Sequence, residues 1–241
     1  MNVVGIVAAL AAEARALAPP MWRRDTPASL ADGTLLSVSG MGSAAAADAA
    51  RALVDAGATA LTSWGMAGGL DPALSAGTIF LPSTVISRDG ASFPTTGQWR
   101  ERLSAAVVSL RPVACGKLLT SSYAIDAVAG KAAAFRETGA LAVDMESLAI
   151  AQIAAAHGLP FIAVRVIVDT AHDVLPPAVI AASRSGQVQI WRLIRALALT
   201  PTDLAALVRL AQRYRAASRS LVAVARAGSL ARLAFPGPSI S

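Results

Sequence analysis

The run Ala142-Val143-Asp144-Met145-Glu146-Ser147, followed by Phe161-Ile162-Ala163-Val164-Arg165-Val166-Ile167-Val168-Asp169, decides how this chain is read. An apolar stretch leads into Glu146 at the start of a helix spanning Met145 to His157, which Gly158 ends. A second apolar stretch, strand-like from Phe161 to Val168, ends on Asp169. Both carboxylates sit where a charge is costly unless it is paired or put to use. Asp169 lies at the C-terminal end of a buried strand, a usual address for functional side chains in open parallel sheets.

Outward from this pair the pattern alternates between strand and helix. Val3 to Ala8 reads as a buried strand, Ala11 to Leu17 as a short helix and Thr34 to Val38 as a second strand. The turn Ser39-Gly40-Met41-Gly42-Ser43 then opens an Ala-rich helix that Gly57 stops. Ala58 to Trp64 is a strand leading into Gly65-Met66-Ala67-Gly68-Gly69-Leu70-Asp71-Pro72, read as a loop. Thr78 to Leu81, Thr84 to Ser87 and Cys115 to Thr120 are further strands, and Leu103 to Leu110 and Ala127 to Glu137 further helices. The polar segment Arg88 to Trp99, punctuated by Gly and Pro, reads as a loop near the site. This succession predicts an α/β protein whose sheet is wrapped by helices.

The bulk properties agree. At 241 residues, with 55% hydrophobic but only 5% aromatic residues, the apolar mass is mostly Ala, Leu and Val, suited to helices packed closely on a sheet. No apolar run reaches the roughly 18 residues of a membrane span. Val3 to Ala12 lacks a preceding basic stretch, so it reads as a strand and not a secretion signal. Cys115 is the single cysteine, compatible with a reducing cytoplasm, and His157 and His172 are the only histidines, so no metal site is expected. His172 is read as facing solvent. No dinucleotide fingerprint or Walker loop is present.

Charge is unevenly placed. Residues 1–173 hold 12 basic against 14 acidic residues, whereas residues 174–241 hold nine arginines and only Asp203. Thr200-Pro201-Thr202-Asp203 is a helix start. Beyond it Leu204, Leu207, Val208, Ala211 and Tyr214 form an apolar stripe, with Arg209 and Arg213 on the opposite side. Such a segment is either a solvated helical face or a surface for an anionic partner. The arginines follow helical spacing with few interleaved aromatics, which argues against nucleic acid.

Four separated stretches resemble the nucleoside phosphorylase and methylthioadenosine/S-adenosylhomocysteine nucleosidase superfamily. They are Val4-Gly5-Ile6-Val7-Ala8-Ala9-Leu10-Ala11-Ala12-Glu13, Ser39-Gly40-Met41-Gly42, Gly65-Met66-Ala67-Gly68-Gly69, and Val143-Asp144-Met145-Glu146 with Arg165 to Asp169. Within the superfamily the chain looks most like the hopanoid-associated phosphorylases, a resemblance strengthened by the Arg-rich tail after Leu175-Pro176-Pro177. It implies a single-domain three-layer sandwich, with a mixed central β-sheet flanked by helices. Residues 1–185 would be the catalytic core and residues 186–241 a helical extension packed on it.

The resemblance also implies roles. Glu146 would accept hydrogen bonds from ribose hydroxyls beside a developing oxocarbenium ion, with Met145 as an apolar floor; a helix-capping acid is the plainer reading of Glu146. Asp169 would donate to purine N7, which requires its carboxyl to hold a proton through burial; a turn-forming Asp is the alternative. The family's Ser immediately before this Asp is Val168 here, so a supporting hydroxyl is missing. Glu13 stands where nucleosidases keep the glutamate that activates water. Gly42, Ser43, Gly65, Met66, Ala67 and Gly68 would form the phosphate or nucleophile site, ordinary turn geometry being the rival. Tyr123, Ala124 and Ile125 align loosely with the segment whose main chain reads adenine.

The activity so implied is removal of adenine from a nucleoside, with adenosylhopane as substrate and inorganic phosphate as co-substrate, and no other cofactor. Two alternatives remain: a hydrolytic methylthioadenosine/S-adenosylhomocysteine nucleosidase, and a non-catalytic nucleoside-binding protein at a membrane surface. The acceptor is divided at this stage. Ser63 and Met66 stand where phosphorylases keep a phosphate-binding Arg and hydroxyl, and Glu13 favours water. A cytoplasmic homo-oligomer is expected, touching the anionic inner face of the membrane through residues 186–230.

Overall fold

The computed structural model describes residues 2–18, 26–174 and 204–227, with side chains in the last segment from residue 211. The described strands are β1 (Val4–Ala8), β2 (Ala28–Ser29), β3 (Leu35–Val38), β4 (Ala60–Gly69), β5 (Ile79–Phe80), β6 (Thr84–Ile86), β7 (Ser92–Pro94), β8 (Val113–Ala114), β9 (Lys117–Thr120), β10 (Ala140–Asp144) and β11 (Phe161–Asp169). The helices are α1 (Ala11–Ala14), α2 (Ser43–Asp55), α3 (Gly97–Val107), α4 (Val128–Thr138), α5 (Ser147–Ala156) and α6 (Leu204–Arg226).

All the strands join one mixed sheet, and β4 organises it. Over Ala60–Trp64 its one edge pairs in parallel with β1, and at Gly68 and Gly69 the same strand pairs antiparallel with β10. β11 runs parallel to β4 from the Phe161–Leu61 pair to the Asp169–Gly68 pair, with a register shift between Ile167 and Asp169. The C-terminal half of β4 therefore lies between the strand that ends on Asp144 and the strand that ends on Asp169.

Alternation along the strands divides the core into two layers. Ile6, Trp64, Ile162, Val164 and Val166 face α3 and α6, packing with Trp99, Leu103, Ala217, Leu221 and Val224. Val7, Leu61, Ala163 and Ile167 face α2 and α5, packing with Ala50, Leu53, Ile150 and Ala154. The small side chains of α2 and α5 let both helices lie close on the sheet and on each other. The expected three-layer α/β architecture is thus present.

Three expectations are corrected. Gly65 to Gly69 is not a loop but the second half of β4, because pairing with β10 and β11 satisfies its backbone on both edges. Arg88 to Trp99 is not a single loop: β7 pairs antiparallel with β6 and α3 starts at Gly97. Thr96 there exchanges hydrogen bonds with Phe161, at the opposite end of β11 from Asp169. On α6 the buried face is Ala217, Ser220, Leu221 and Val224, with Arg213 in line with it, whereas Ala211 and Tyr214 are exposed. The phase of that helix is set by its second half, where Ser220 Oγ also donates to the Gly77 carbonyl at 2.7 Å. The proposed start at 200–203, the side chains of 204–210 and the 185/186 division lie outside the described residues.

Candidate active site

Glu13 is reached directly from β1. Leu10 ends the turn after the strand, and its N–H donates to Glu13 Oε2 at 3.0 Å, while the Met66 N–H donates to Oε1 at 2.8 Å. The Trp64 indole N–H fixes the same turn by donating to the Glu13 carbonyl at 3.1 Å. Glu13 is buried, and burial raises its carboxyl against the opposing pull of Arg165 and these two backbone donors.

Glu146 occupies the N-cap of α5, one step earlier than the expected helical position. Its Oε1 accepts the Gly42 N–H at 2.8 Å and its Oε2 the Met145 N–H at 3.3 Å. Gly42 has φ +97, a left-handed conformation natural to glycine, as it hands the chain into α2. Ser43 Oγ donates to the Met145 carbonyl at 3.0 Å, tying the two helix entrances together. Burial, then the nearby Asp144 charge, push Glu146 up to about 7, with Arg165 opposing.

Arg165 joins these elements from within β11, on the layer otherwise filled by Ala163 and Ile167. It is 2% exposed. Its Nε donates to Asp144 Oδ2 at 2.9 Å, and its Nη2 to the hydroxyls of Ser63 at 2.6 Å and Ser147 at 3.0 Å. Burial works against its charge, but Asp144, Glu146 and Glu13 more than restore it. Asp144 is completed by the Thr120 hydroxyl at 2.7 Å and the Ser147 N–H at 3.2 Å. Three buried carboxylates, Glu13, Asp144 and Glu146, therefore surround one guanidinium.

Asp169 lies where the β4–β11 register shifts. A side chain added at Gly68 would stand 3.2 Å from its Oδ2 and 3.4 Å from Val143 Cγ1, and one added at Gly65 would stand 2.6 Å from both Glu13 Oε1 and Arg165 Nη1. Gly65 and Gly68 are about 10 Å apart along an extended strand. Glu13 and Arg165 therefore crowd Gly65, and Asp169 crowds Gly68 three positions further along the same strand. Burial raises the Asp169 carboxyl, and Lys131 counters it: its Nζ, fully buried, donates to Asp169 Oδ2 and to the carbonyls of Thr170 at 2.8 Å and Asp173 at 3.1 Å. Val168 offers Asp169 no hydroxyl, and its side-chain donor is the ammonium of Lys131 from α4.

Of the remaining expected site residues, Met145 is half-buried between the two entrances and Met66 and Ala67 lie on β4. Ile125 is buried with Leu119 and Val143, which carries the Tyr123–Ile125 segment toward the Asp169 end, but the Tyr123 ring is 57% exposed. Ser43 and His172 are exposed. Sequence reading missed Asp144 and Arg165 as an ion pair, and it missed Lys131. One signal was available for Lys131: the chain has 19 arginines but only two lysines, so a lysine on an Ala-rich helix is a marked choice. Among the described residues no cluster of His, Cys, Asp or Glu could hold a metal ion.

A mixed sheet flanked by helices, with buried acids gathered around the glycines of its central strand, defines a class, and comparison with known proteins agrees. The chain belongs to the phosphorylase superfamily, whose family model matches residues 31–198. Among solved structures it is similar to the 5′-methylthioadenosine/S-adenosylhomocysteine nucleosidase of Neisseria meningitidis in complex with methylthio-immucillin-A, at 18% identity over 93% of this chain and 96% of that one, with a TM-score of 0.68. A putative methylthioadenosine nucleosidase from Weissella paramesenteroides is 24% identical over 79% of this chain and 97% of that one, with a TM-score of 0.62. Futalosine hydrolase of Helicobacter pylori is 13% identical over 92% and 97%, with a TM-score of 0.66. At these identities the likeness is one of fold. No curated protein matches the chain.

The position of Glu146 has a consequence for stability. Its folded value of about 7 stands above the ordinary 4.5, so the fold favours its protonated form. That contribution is fully present below 4.5 and is lost as pH rises through 7, about 3 kcal/mol for a shift of this size. Urea melts of the ligand-free protein should show the loss between pH 5 and pH 8, and Glu146→Gln should flatten it. An unchanged slope in Glu146→Gln would place the titration elsewhere.

Proposed function

We propose that this protein cleaves the N-glycosidic bond of an adenine nucleoside, with water as the acceptor. The observation that carries the reading is the crowding of three buried acids, Glu13, Asp144 and Glu146, around the single guanidinium of Arg165. Such a site is costly when empty and complementary to a cation, and departure of a purine leaves positive charge on the ribose. In this scheme Glu146 accepts from the ribose hydroxyls, Glu13 takes a proton from water attacking C1′, and Asp169 faces the base beside Tyr123–Ile125. Met145 is the floor under the sugar.

Water is favoured over phosphate for two reasons. A phosphate dianion would meet the same carboxylates that welcome the cation. In addition, the Gly42 and Met66 N–H groups, which would cradle an anion, already donate to Glu146 and Glu13, and Arg165 is engaged by Asp144. A second reading, phosphorolysis of adenosylhopane at a membrane, has its own support. The groove between α6 and the end of α3 is lined by Arg111, Arg219 and Arg226 over Leu110 and Val222, a basic and apolar surface suited to anionic lipid. No described helix is long and apolar enough to cross a membrane, so the contact would be peripheral.

Adenine release from methylthioadenosine and from adenosylhopane, each with and without phosphate, tests both readings. Release without phosphate, yielding free ribose sugar, is expected; strict dependence on phosphate, yielding a sugar 1-phosphate, would overturn the choice of water. No release under any condition would favour a binding protein. Deleting residues 200–241 is a poor test of the membrane surface, because Ala217, Leu221 and Val224 belong to the core. The variant Arg219→Glu with Arg226→Glu should instead lose salt-sensitive binding to anionic vesicles while melting as the wild type does. Equal binding by that variant would remove the lipid reading.

A further inference from the structure

Lys131 is the one buried cation of the site that the scheme above does not use. All three acceptors of its Nζ, Asp169 Oδ2 and the carbonyls of Thr170 and Asp173, belong to the end of β11 and the turn after it. Its first effect is awkward for an acid: an ammonium touching a carboxylate stabilises the ionised form, and an ionised Asp169 has no proton to give. A purely structural cation here could as well have been arginine, the residue this chain uses 19 times, whereas lysine appears twice. The two differ in one chemical respect that matters at this point. A guanidinium does not give up its proton in a protein, and an ammonium can.

We propose that the proton delivered to the departing base is stored on the Lys131–Asp169 pair as a unit, Lys131 supplying it through the Asp169 carboxyl. The inference rests on the reading of Asp169 as the acid on the base side. As the C1′–N9 bond breaks, its electron pair goes to the base. Starting from the ammonium–carboxylate pair, the Asp169 carboxylate takes a proton from Lys131 Nζ and passes it to N7 of the base. Lys131 is left neutral and Asp169 ionised, and the pair recovers one proton from solvent after adenine leaves. Lys131 is a positioning residue in this step, since it acts through Asp169 and does not touch the base. The other charges facing the pair are Asp173, on the turn after β11, and Arg213 of α6, and these two are paired with each other. They leave Lys131 and Asp169 as the exchanging couple.

The kcat–pH profiles of the full chain and of Lys131→Met, Lys131→Arg and Asp169→Asn test the proposal, using whichever of methylthioadenosine and adenosylhopane the wild type cleaves. In the wild type the alkaline limb should belong to the pair and lie beyond the range of a lone carboxyl. Lys131→Met leaves Asp169 as the only acid. Its kcat should fall at least about 10-fold at pH 8, with the limb moved toward acid by about one unit or more, and recover to within a few-fold near pH 5. Lys131→Arg keeps the charge but not the transferable proton, so kcat should fall about 100-fold at neutral and alkaline pH with KM little changed. Equal losses in both variants with an unmoved limb, a wild-type kcat in Lys131→Arg, or a wild-type limb in the ordinary carboxyl range would each overturn it. The last outcome needs no variant and holds even if the substitutions fail to fold. Absence of adenine release by the wild type, or full activity in Asp169→Asn, would instead remove the underlying assignment of Asp169, and the role of Lys131 with it.

Discussion

Asp169→Asn should lower kcat for adenine release by about 10²–10⁴-fold, the usual worth of a positioned acid, while KM changes only a few-fold. The substitution keeps the shape and the hydrogen-bonding reach of the side chain. The amide oxygen can still accept from Lys131 Nζ, and Gly68 still leaves the space that the carboxyl occupies. What is lost is the ability to hold and pass a proton, which the buried position of Asp169 favours and Lys131 opposes. Removing one member of a buried charge pair also costs the fold, on the order of 3–5 kcal/mol when the other charge is left without a partner. The asparagine oxygen and the two carbonyls on Lys131 soften that cost, so kcat is to be read well below the melting temperature of the variant. A variant within a few-fold of the wild type would show that the leaving base is protonated from elsewhere.

The parts of this site that sequence reading reached were those marked by local contrast. Glu13, Glu146 and Asp169 are each an acid at the edge of an apolar run, and a misplaced charge is conspicuous in one dimension. The residues that make those acids workable are not marked in that way. Asp144 and Arg165 are 21 positions apart and meet only because β10 and β11 flank the same half of β4. Lys131 sits 38 positions from Asp169 on an Ala-rich helix, marked only by the rarity of lysine in this chain. Their pairing is a property of sheet order, which no local pattern encodes.

The fold departs from the local sequence pattern for the same physical cause. Glycines at 65, 68 and 69 read as a loop because glycine is poor in strands by propensity. Here β4 changes partners, and glycine is needed because side chains from two other strands and a turn crowd onto its surface. On α6 the stripe chosen from sequence and the packed face differ in phase. An amphipathic pattern shows that a face exists, but an Ala-rich helix offers more than one, and Ala217, Leu221 and Val224 win because they meet β11.

Gly65→Ala should show how strictly that strand surface is specified, and it should be the most damaging single-methyl change at the site. The new Cβ would lie 2.6 Å from Arg165 Nη1 and from Glu13 Oε1, and 2.8 Å from Glu13 Cδ. Neither neighbour can yield cheaply. Arg165 is fixed by Asp144, Ser63 and Ser147, and Glu13 by the Met66 and Leu10 N–H groups, so displacement breaks charged hydrogen bonds in a buried place. A backbone conformation at φ +158 adds its own penalty for any residue with a Cβ. Together these give a loss of about 3 kcal/mol or more in urea melts, with activity lost alongside. Gly68→Ala is the contrasting case. Its Cβ would stand 3.2 Å from Asp169 Oδ2, a contact that small adjustments relieve, so stability should fall by about 1 kcal/mol while kcat drops through the misplaced carboxyl. If Gly65→Ala instead melts like the wild type, Glu13 and Arg165 are not packed against that strand as tightly as the site requires, and the charge arrangement inferred around them fails with it.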